Sequence, residues 1–155
     1  MELRSILTTT KVGEITLSTR PALKPTDKVS LAAEEMRNVS HGCVLVIDND
    51  TKLVGIFTER DLLKVIATMG TVDVPLADVM TPQPQTITDE ATLFEATQLM
   101  DEGGYRRLPV IDASNVAVGI VDVKTITHFL VGHFPNTIYS QASEAEVASK
   151  NREGA

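Results

Sequence analysis

The sequence predicts an α/β fold (α+β in schemes that separate the two). It reads as two β-α-β-β-α repeats packed about a pseudo-twofold axis, with small sheets covered by helices. Three observations carry that expectation. A shift of 64 residues aligns two halves without a gap: Val44-Leu45-Val46-Ile47-Asp48 falls on Leu108-Pro109-Val110-Ile111-Asp112, and Val54-Gly55-Ile56 on Val118-Gly119-Ile120. Apolar residues recur at helical spacing upstream of each such run. The runs themselves are short, β-branched and bounded by turn residues.

The first helix of each half is predicted from Val29, Ala32, Ala33 and Met36, and from Leu93, Ala96, Thr97 and Met100, each set with i, i+3, i+4, i+7 spacing. Thr26-Asp27 and Thr88-Asp89 offer cap residues upstream. The strands VLVID and LPVID follow, and turns at Asn49-Asp50 and Ser114-Asn115 lead to LVGIF and AVGIV. The VID strands are apolar enough to be buried on both faces, so helices should cover the sheet. A second helix is read from Leu62, Val65, Ile66 and Met69, matched by Ile126, Phe129, Leu130 and His133. A half this small buries too little surface to stand alone, so the halves should pack on each other. The expected boundaries are an N-terminal extension at 1–11, repeats at 12–70 and 79–134, a linker at 71–78 and a C-terminal extension at 135–155, disordered from about 140.

Composition narrows the function. The chain has 155 residues, 43% of them hydrophobic, and a net charge of −7. Its pI is near 4.9. An acidic surface does not wrap nucleic acid nonspecifically or sit on an anionic membrane. No apolar run reaches transmembrane length, and MELRSILTTTKVGE has no signal-peptide core. The single cysteine, Cys43, cannot form an intramolecular disulfide, so a cytoplasmic setting is expected. His41, His128, His133 and Cys43 are poorly placed to make a metal set, and there is no P-loop or G-x-G-x-x-G.

The chain resembles a tandem pair of cystathionine-β-synthase (CBS) domains, the arrangement also called a Bateman module. The resemblance spans about residues 12–134 and rests on VLVIDNDTKLVGIFTERDLLKVI, DVMTPQPQTITDEATLFEATQLM and YRRLPVIDASNVAVGIVDVKTITHFL. It implies clefts between the halves that bind an adenosine-containing ligand: AMP, ADP, ATP, S-adenosylmethionine or NAD. It also implies a homodimer formed through CBS helices and an unidentified protein target, with no catalytic residues, required cofactor or metal.

The resemblance also nominates residues. Its ligand signature is a glycine, two apolar residues, Ser or Thr, two variable residues, then Asp or Asn. Gly55-Ile56-Phe57-Thr58-Glu59-Arg60-Asp61 matches it throughout. Asp61 can accept hydrogen bonds from both hydroxyls of a ribose. Thr58, where strand becomes helix, can meet a phosphate, and Arg60 adds charge. Thr58-x-x-Asp61 is equally a capping-box pattern that binds nothing. Arg106 and Arg107 precede the second VID strand and can face phosphate. They can also be a solvated pair bridged to Asp101 or Glu102. Their mates in the first half are Gly42 and Cys43, and Cys43 reads as a small apolar residue heading a buried strand. Met80-Thr81-Pro82 should line an adenine pocket, with Thr81 the side chain counted in the site. The second half departs from the signature: Asp122 replaces the hydroxyl and Thr125 the acid, with Lys124 between them. Asp122 reads best as a helix N-cap, so the second site is expected to be degenerate. The alternatives to a nucleotide regulator are a ligand-free dimerisation or docking module and, with no nameable nucleophile or acid/base pair, a small enzyme.

Overall fold

The computed structural model describes residues 3–19, 21–39 and 42–133. The extension expected at 135–155, His41 and Phe134 lie outside the described residues. In chain order the elements are α1 (Leu3–Thr9), β1 (Ala22–Leu23), α2 (Val29–Val39), β2 (Cys43–Ile47), β3 (Leu53–Thr58), α3 (Glu59–Met69), β4 (Thr81–Pro82), β5 (Ile87–Thr88), α4 (Leu93–Gly103), β6 (Arg107–Ile111), β7 (Ala117–Asp122) and α5 (Val123–His133). Two single-turn 3-10 helices, Val12–Glu14 and Leu76–Asp78, stand between elements. Each half is β-α-β-β-α, as the repeat implies: β1-α2-β2-β3-α3, then β5-α4-β6-β7-α5.

The repeat holds to the level of register. In the antiparallel pair β2–β3, Leu45 opposes Ile56 and Val46 opposes Gly55. In β6–β7, Pro109 opposes Ile120 and Val110 opposes Gly119. These are the same pairs moved by 64, since 45+64=109 and 56+64=120. Each hairpin is closed by an aspartate. Asp48 Oδ1 accepts the N–H groups of Asp50 and Lys52 at 2.8 and 3.0 Å. Asp112 Oδ1 accepts those of Ser114 and Val116 at 2.8 and 3.0 Å. Such Asx turns supply the bend that Asn49-Asp50 and Ser114-Asn115 signalled.

Side chains alternate across a strand, so one strand serves two cores. Val44 and Val46 pack with Val29, Met36, Phe57 and Val65 under the helices of the first half. Cys43 and Leu45 point the other way, joining Leu53 and Ile56 of the same half and Ile120 of the opposite half. The VID strands are therefore buried on both faces, but helices cover only one. The other face is covered by the second sheet, because the two halves meet sheet to sheet. A second departure concerns α3. Of its expected apolar stripe Val65 is buried and Leu62 packs partly buried on the same core, while Ile66 and Met69 are each 50% exposed. A third concerns α4, whose cap is Thr92, not Thr88-Asp89. The Thr92 hydroxyl accepts the N–H of Glu95 at 3.2 Å, and the Glu95 carboxylate accepts back from Thr92, which holds its pKa below the usual carboxylate value. Thr88 is instead committed to β5, opposite Ile111.

Two connecting arms cross between the halves. The arm at 10–18 precedes the first half yet packs on the second. Val12 and Ile15 are buried with Ile87, Leu93 and Leu108. The arm at 74–82 follows the first half and turns back onto it, burying Leu76 with Leu23, Val29 and Phe57. Their hydrogen bonds are mates under the 64-residue shift. Val12 N–H donates to Ala91 O at 2.8 Å and Leu76 N–H to Asp27 O at 2.8 Å. Gly13 N–H donates to Asp89 O at 2.8 Å and Ala77 N–H to Pro25 O at 2.9 Å. Each arm also adds to a sheet edge. Ser18 bridges Ile120, and β4 pairs with β3 through Pro82–Gly55 and Thr81–Ile56. Here the two signature glycines find their reason. A Cβ on Gly55 would collide with the sulfur of Met80, and one on Gly119 would stand 3.0 Å from Leu17 Cβ.

Leu76 is fully buried. Leu76→Ala is expected to lower unfolding free energy by about 2–5 kcal/mol, the range for a buried leucine truncation. Urea denaturation reads this as a lower midpoint. A loss within the roughly 0.5 kcal/mol of a surface change would show that the arm is not part of the core.

Candidate functional site

A cleft of about 840 Å³ opens between the halves at the carboxyl end of β3. Such a volume suits a ligand of nucleotide size. β3 ends at Thr58 in extended backbone, and α3 begins at the next residue. The Glu59 N–H donates to Gly42 O at 3.1 Å, tying the helix start to the entrance of β2. Its mate is Val123 N–H to Arg106 O, also 3.1 Å. These ties put Thr58, Arg60 and Asp61 on one wall beside Gly42. β4 brings Thr81 alongside them, and the entrance of β6 brings Tyr105, Arg106 and Arg107 across from them.

Of the residues singled out from sequence, Gly42, Thr58, Arg60, Asp61, Thr81, Arg106 and Arg107 all line this cleft. Cys43 does not, which corrects its inclusion. The strand pleat turns its side chain into the cluster between the two sheets, where it is 0% exposed. The sequence reading missed Tyr105 and, just past the second arm, Gln83 and Gln85. One signal was available. Val12-Gly13-Glu14-Ile15 and Leu76-Ala77-Asp78-Val79 share an apolar-small-acid-apolar pattern at the same shift of 64, which marks both arms as repeat elements.

The capping box is formed. The Thr58 hydroxyl accepts the Asp61 N–H at 3.3 Å, and Asp61 Oδ2 accepts from the Thr58 N–H and hydroxyl, both at 2.9 Å. Both of these bonds fall on one carboxylate oxygen. Asp61 Oδ1 accepts nothing among the described residues. Capping and ligand binding thus use different oxygens of one carboxylate. Three guanidinium groups, Arg60, Arg106 and Arg107, face the cleft with two carboxylates, Glu59 and Asp61. Among the described residues Arg106 and Arg107 make no ion pair with Asp101 or Glu102.

A second cleft of about 620 Å³ lies at the carboxyl end of β7. Asp122, Lys124 and Thr125 line it with Thr16 and Ser18 of the N-terminal arm, Gly42 and Arg107. The hydroxyl and carboxylate have traded places. Asp122 Oδ1 accepts the Thr125 N–H and hydroxyl, both at 2.7 Å. Asp122 is therefore the N-cap of α5. The position that holds Asp61 in the first half here carries only the Thr125 hydroxyl, 3.4 Å from that of Ser18.

Comparisons with known proteins agree with this geometry. The family model described as CBS domain matches residues 12–68 and again 76–132. An uncharacterized 17.7 kDa protein from Acidianus ambivalens is 32% identical over 122 residues, 79% of this chain and 74% of its own length. The CBS domain-containing protein CBSCBSPB3 of Arabidopsis thaliana is 36% identical over 115 residues, 73% of this chain but only 20% of that protein. Among solved structures, CBSX2 in complex with AMP is 28% identical with a TM-score of 0.69, covering 79% of this chain and 97% of that one. A putative acetoin utilization protein, AcuB, from Vibrio cholerae is 25% identical with a TM-score of 0.73, covering 83% and 96%. Two family matches on two halves that repeat at 64 residues and meet at paired clefts leave one conclusion: the chain belongs to the CBS-domain family and carries two CBS domains in tandem.

Proposed function

We propose that the first cleft binds an adenosine-containing nucleotide and that its occupancy regulates a partner protein. The observation that carries this reading is the wall formed by Thr58 and Asp61, with one carboxylate oxygen of Asp61 unengaged, opposite the arginine pair at the entrance of β6. CBSX2, which is solved with AMP, supports it. Asp61 takes the ribose hydroxyls, since an ionised acceptor makes the stronger hydrogen bonds. Thr58 and the start of α3 face the phosphate, with Arg60, Arg106 and Arg107 supplying charge. Gly42 leaves room for close approach, and Thr81 belongs to the wall beside the base. The two halves, each with the arm that packs on it, would then move relative to each other. Ligand binding shifts such an equilibrium only through unequal affinity for its two states. No helix among the described residues is long and apolar enough to cross a membrane.

The proposed assembly is a homodimer. Leu63, Ile66 and Met69 on α3 and Val123 and Val131 on α5 are exposed apolar side chains, and a second copy would cover them. Leu63→Glu should shift the wild-type dimer to monomer in sedimentation equilibrium. A monomeric wild type would remove the dimer from the proposal.

One observation favours a second reading, a docking module without ligand: the Thr58–Asp61 capping box is complete as it stands. Calorimetric titration separates the two. Among AMP, ADP, ATP, S-adenosylmethionine and NAD, one ligand is expected to bind once per chain. Asp61→Ala should then cost about 1.5–3 kcal/mol of binding, the scale of a hydrogen bond to a charged group. Thr58→Ala should lower stability by about 1 kcal/mol under either reading, as loss of an N-cap does. Failure of all five ligands to bind the folded wild type would leave the docking module.

A further inference from the structure

Arg107 stands where the two clefts meet. It lines the first with Thr58 and Asp61, and the second with Ser18, Lys124 and Thr125. Gly42 also borders both clefts, and its lack of a side chain explains the reach of the guanidinium. A Cβ on Gly42 would fall 3.0 Å from Arg107 Nη1 and 3.0 Å from Glu59 Oε2. The guanidinium therefore extends across bare backbone toward the start of α3. At its other side, the strand register sets Arg107 opposite Asp122, just before α5. The head group lies between the two positions where a helix start faces a cleft.

The repeat shows what is unusual here. Arg106 and Arg107 correspond to Gly42 and Cys43, since 106−64=42 and 107−64=43. A symmetric chain would offer each cleft its own pair of cations at the strand entrance. This chain offers one pair, and Cys43 is buried between the sheets. Arg107 is half-buried, and among the described residues its side chain makes no ion pair or hydrogen bond. A planar guanidinium donates in a fixed fork, and one side chain sets that fork in one position at a time, so a close clamp on an anion in one cleft weakens its hold on the other.

We propose that Arg107 serves both clefts, so that phosphate-bearing ligands bind in the two clefts one at a time. An anion in the first cleft draws the guanidinium over Gly42 and leaves the second, among the described residues, lined by Lys124 and His128 beside Asp122. An anion in the second draws it back and leaves the first with Arg60 and Arg106 against Glu59 and Asp61. Linkage makes the antagonism mutual: each ligand lowers the affinity for the other by the same factor. The chain would then read the balance between two phosphate ligands and not the level of one. The inference deepens the nucleotide reading by giving it a regulation, but its test does not require a nucleotide.

The test uses the full chain labelled with ¹⁵N and inorganic pyrophosphate as the probe. Amide signals of Thr58 and Asp61 report the first cleft, and those of Ser18 and Thr125 the second. Both sets should shift, while calorimetry saturates at one pyrophosphate per chain. Arg107→Ala should weaken both sets by roughly tenfold or more, the scale of a lost charged hydrogen bond. Arg106→Ala should weaken the first set alone, because Arg106 borders the first cleft and not the second. Arg107→Lys keeps the charge and guards against a folding defect, and should fall between wild type and alanine. Two pyrophosphates bound independently, one signal set indifferent to Arg107→Ala, or no shift in either set would each overturn the proposal. An AMP titration keeps the two readings apart. If AMP fails to bind while pyrophosphate behaves as described, the nucleotide reading is lost and the shared arginine stands. If AMP fills the first cleft without weakening pyrophosphate at the second, the sharing is lost and the nucleotide reading stands.

Discussion

The reciprocal exchange of arms is the constraint on which the rest of this structure depends. Val12 and Leu76 are mates in the repeat, and each is fully buried in the half that does not follow it in sequence. Their backbone N–H groups close onto the turns before α4 and α2. Without the arm that packs on it, either half would have an open core and unsatisfied turn carbonyls, which are costly when buried. The exposed ion pairs Lys11–Glu90 and Lys28–Asp73 sit at the same two crossings. They add little, because solvent screens them. Apolar burial and main-chain hydrogen bonds hold the arms in place.

The clefts follow from that exchange. β4 pairs with β3 through Thr81 and Pro82, so the second arm forms a wall of the first cleft. The first arm does the same for the second cleft through Thr16 and Ser18. Each cleft is thus built from a strand-to-helix junction of one half, an arm, and the strand entrance of the opposite half. The glycines at 55 and 119 belong to this construction, since a side chain there would push the arm away. A ligand held in a cleft touches all three components, which makes it a natural brace between the halves.

Within this symmetric frame the chemistry is unequal. At the first junction the hydroxyl caps the helix and the acid stands three residues in; at the second the acid caps and the hydroxyl stands three residues in. Both arrangements satisfy a helix N–H, so neither costs the fold anything. They differ in what they present to the cleft: a carboxylate oxygen in one, a hydroxyl in the other. Capping tolerates either order, whereas a ribose diol is better served by a charged acceptor.

Local sequence carried a great deal. The 64-residue repeat, the β-α-β-β-α order, the turn positions and the Thr58–Asp61 junction all rest on spacing and near-neighbour chemistry, which a chain encodes within a few residues. Asp122 as a helix cap was legible for the same reason. What stayed hidden depends on partners far along the chain. Cys43 reads like a cleft residue by pseudo-symmetry, and only the pleat of the packed strand turns it between the sheets. Ile66 and Met69 fit a core stripe by periodicity, yet the core under α3 takes only Val65 and part of Leu62. The placing of Arg107 between two clefts likewise needed both sheets in contact. The sequence by itself determined the elements and their repetition, because hydrogen bonds within helices and turns are local. Only the tertiary structure decided which half each arm joins and which face each strand turns to the other half, because those choices are made by burial between residues that local patterning does not connect.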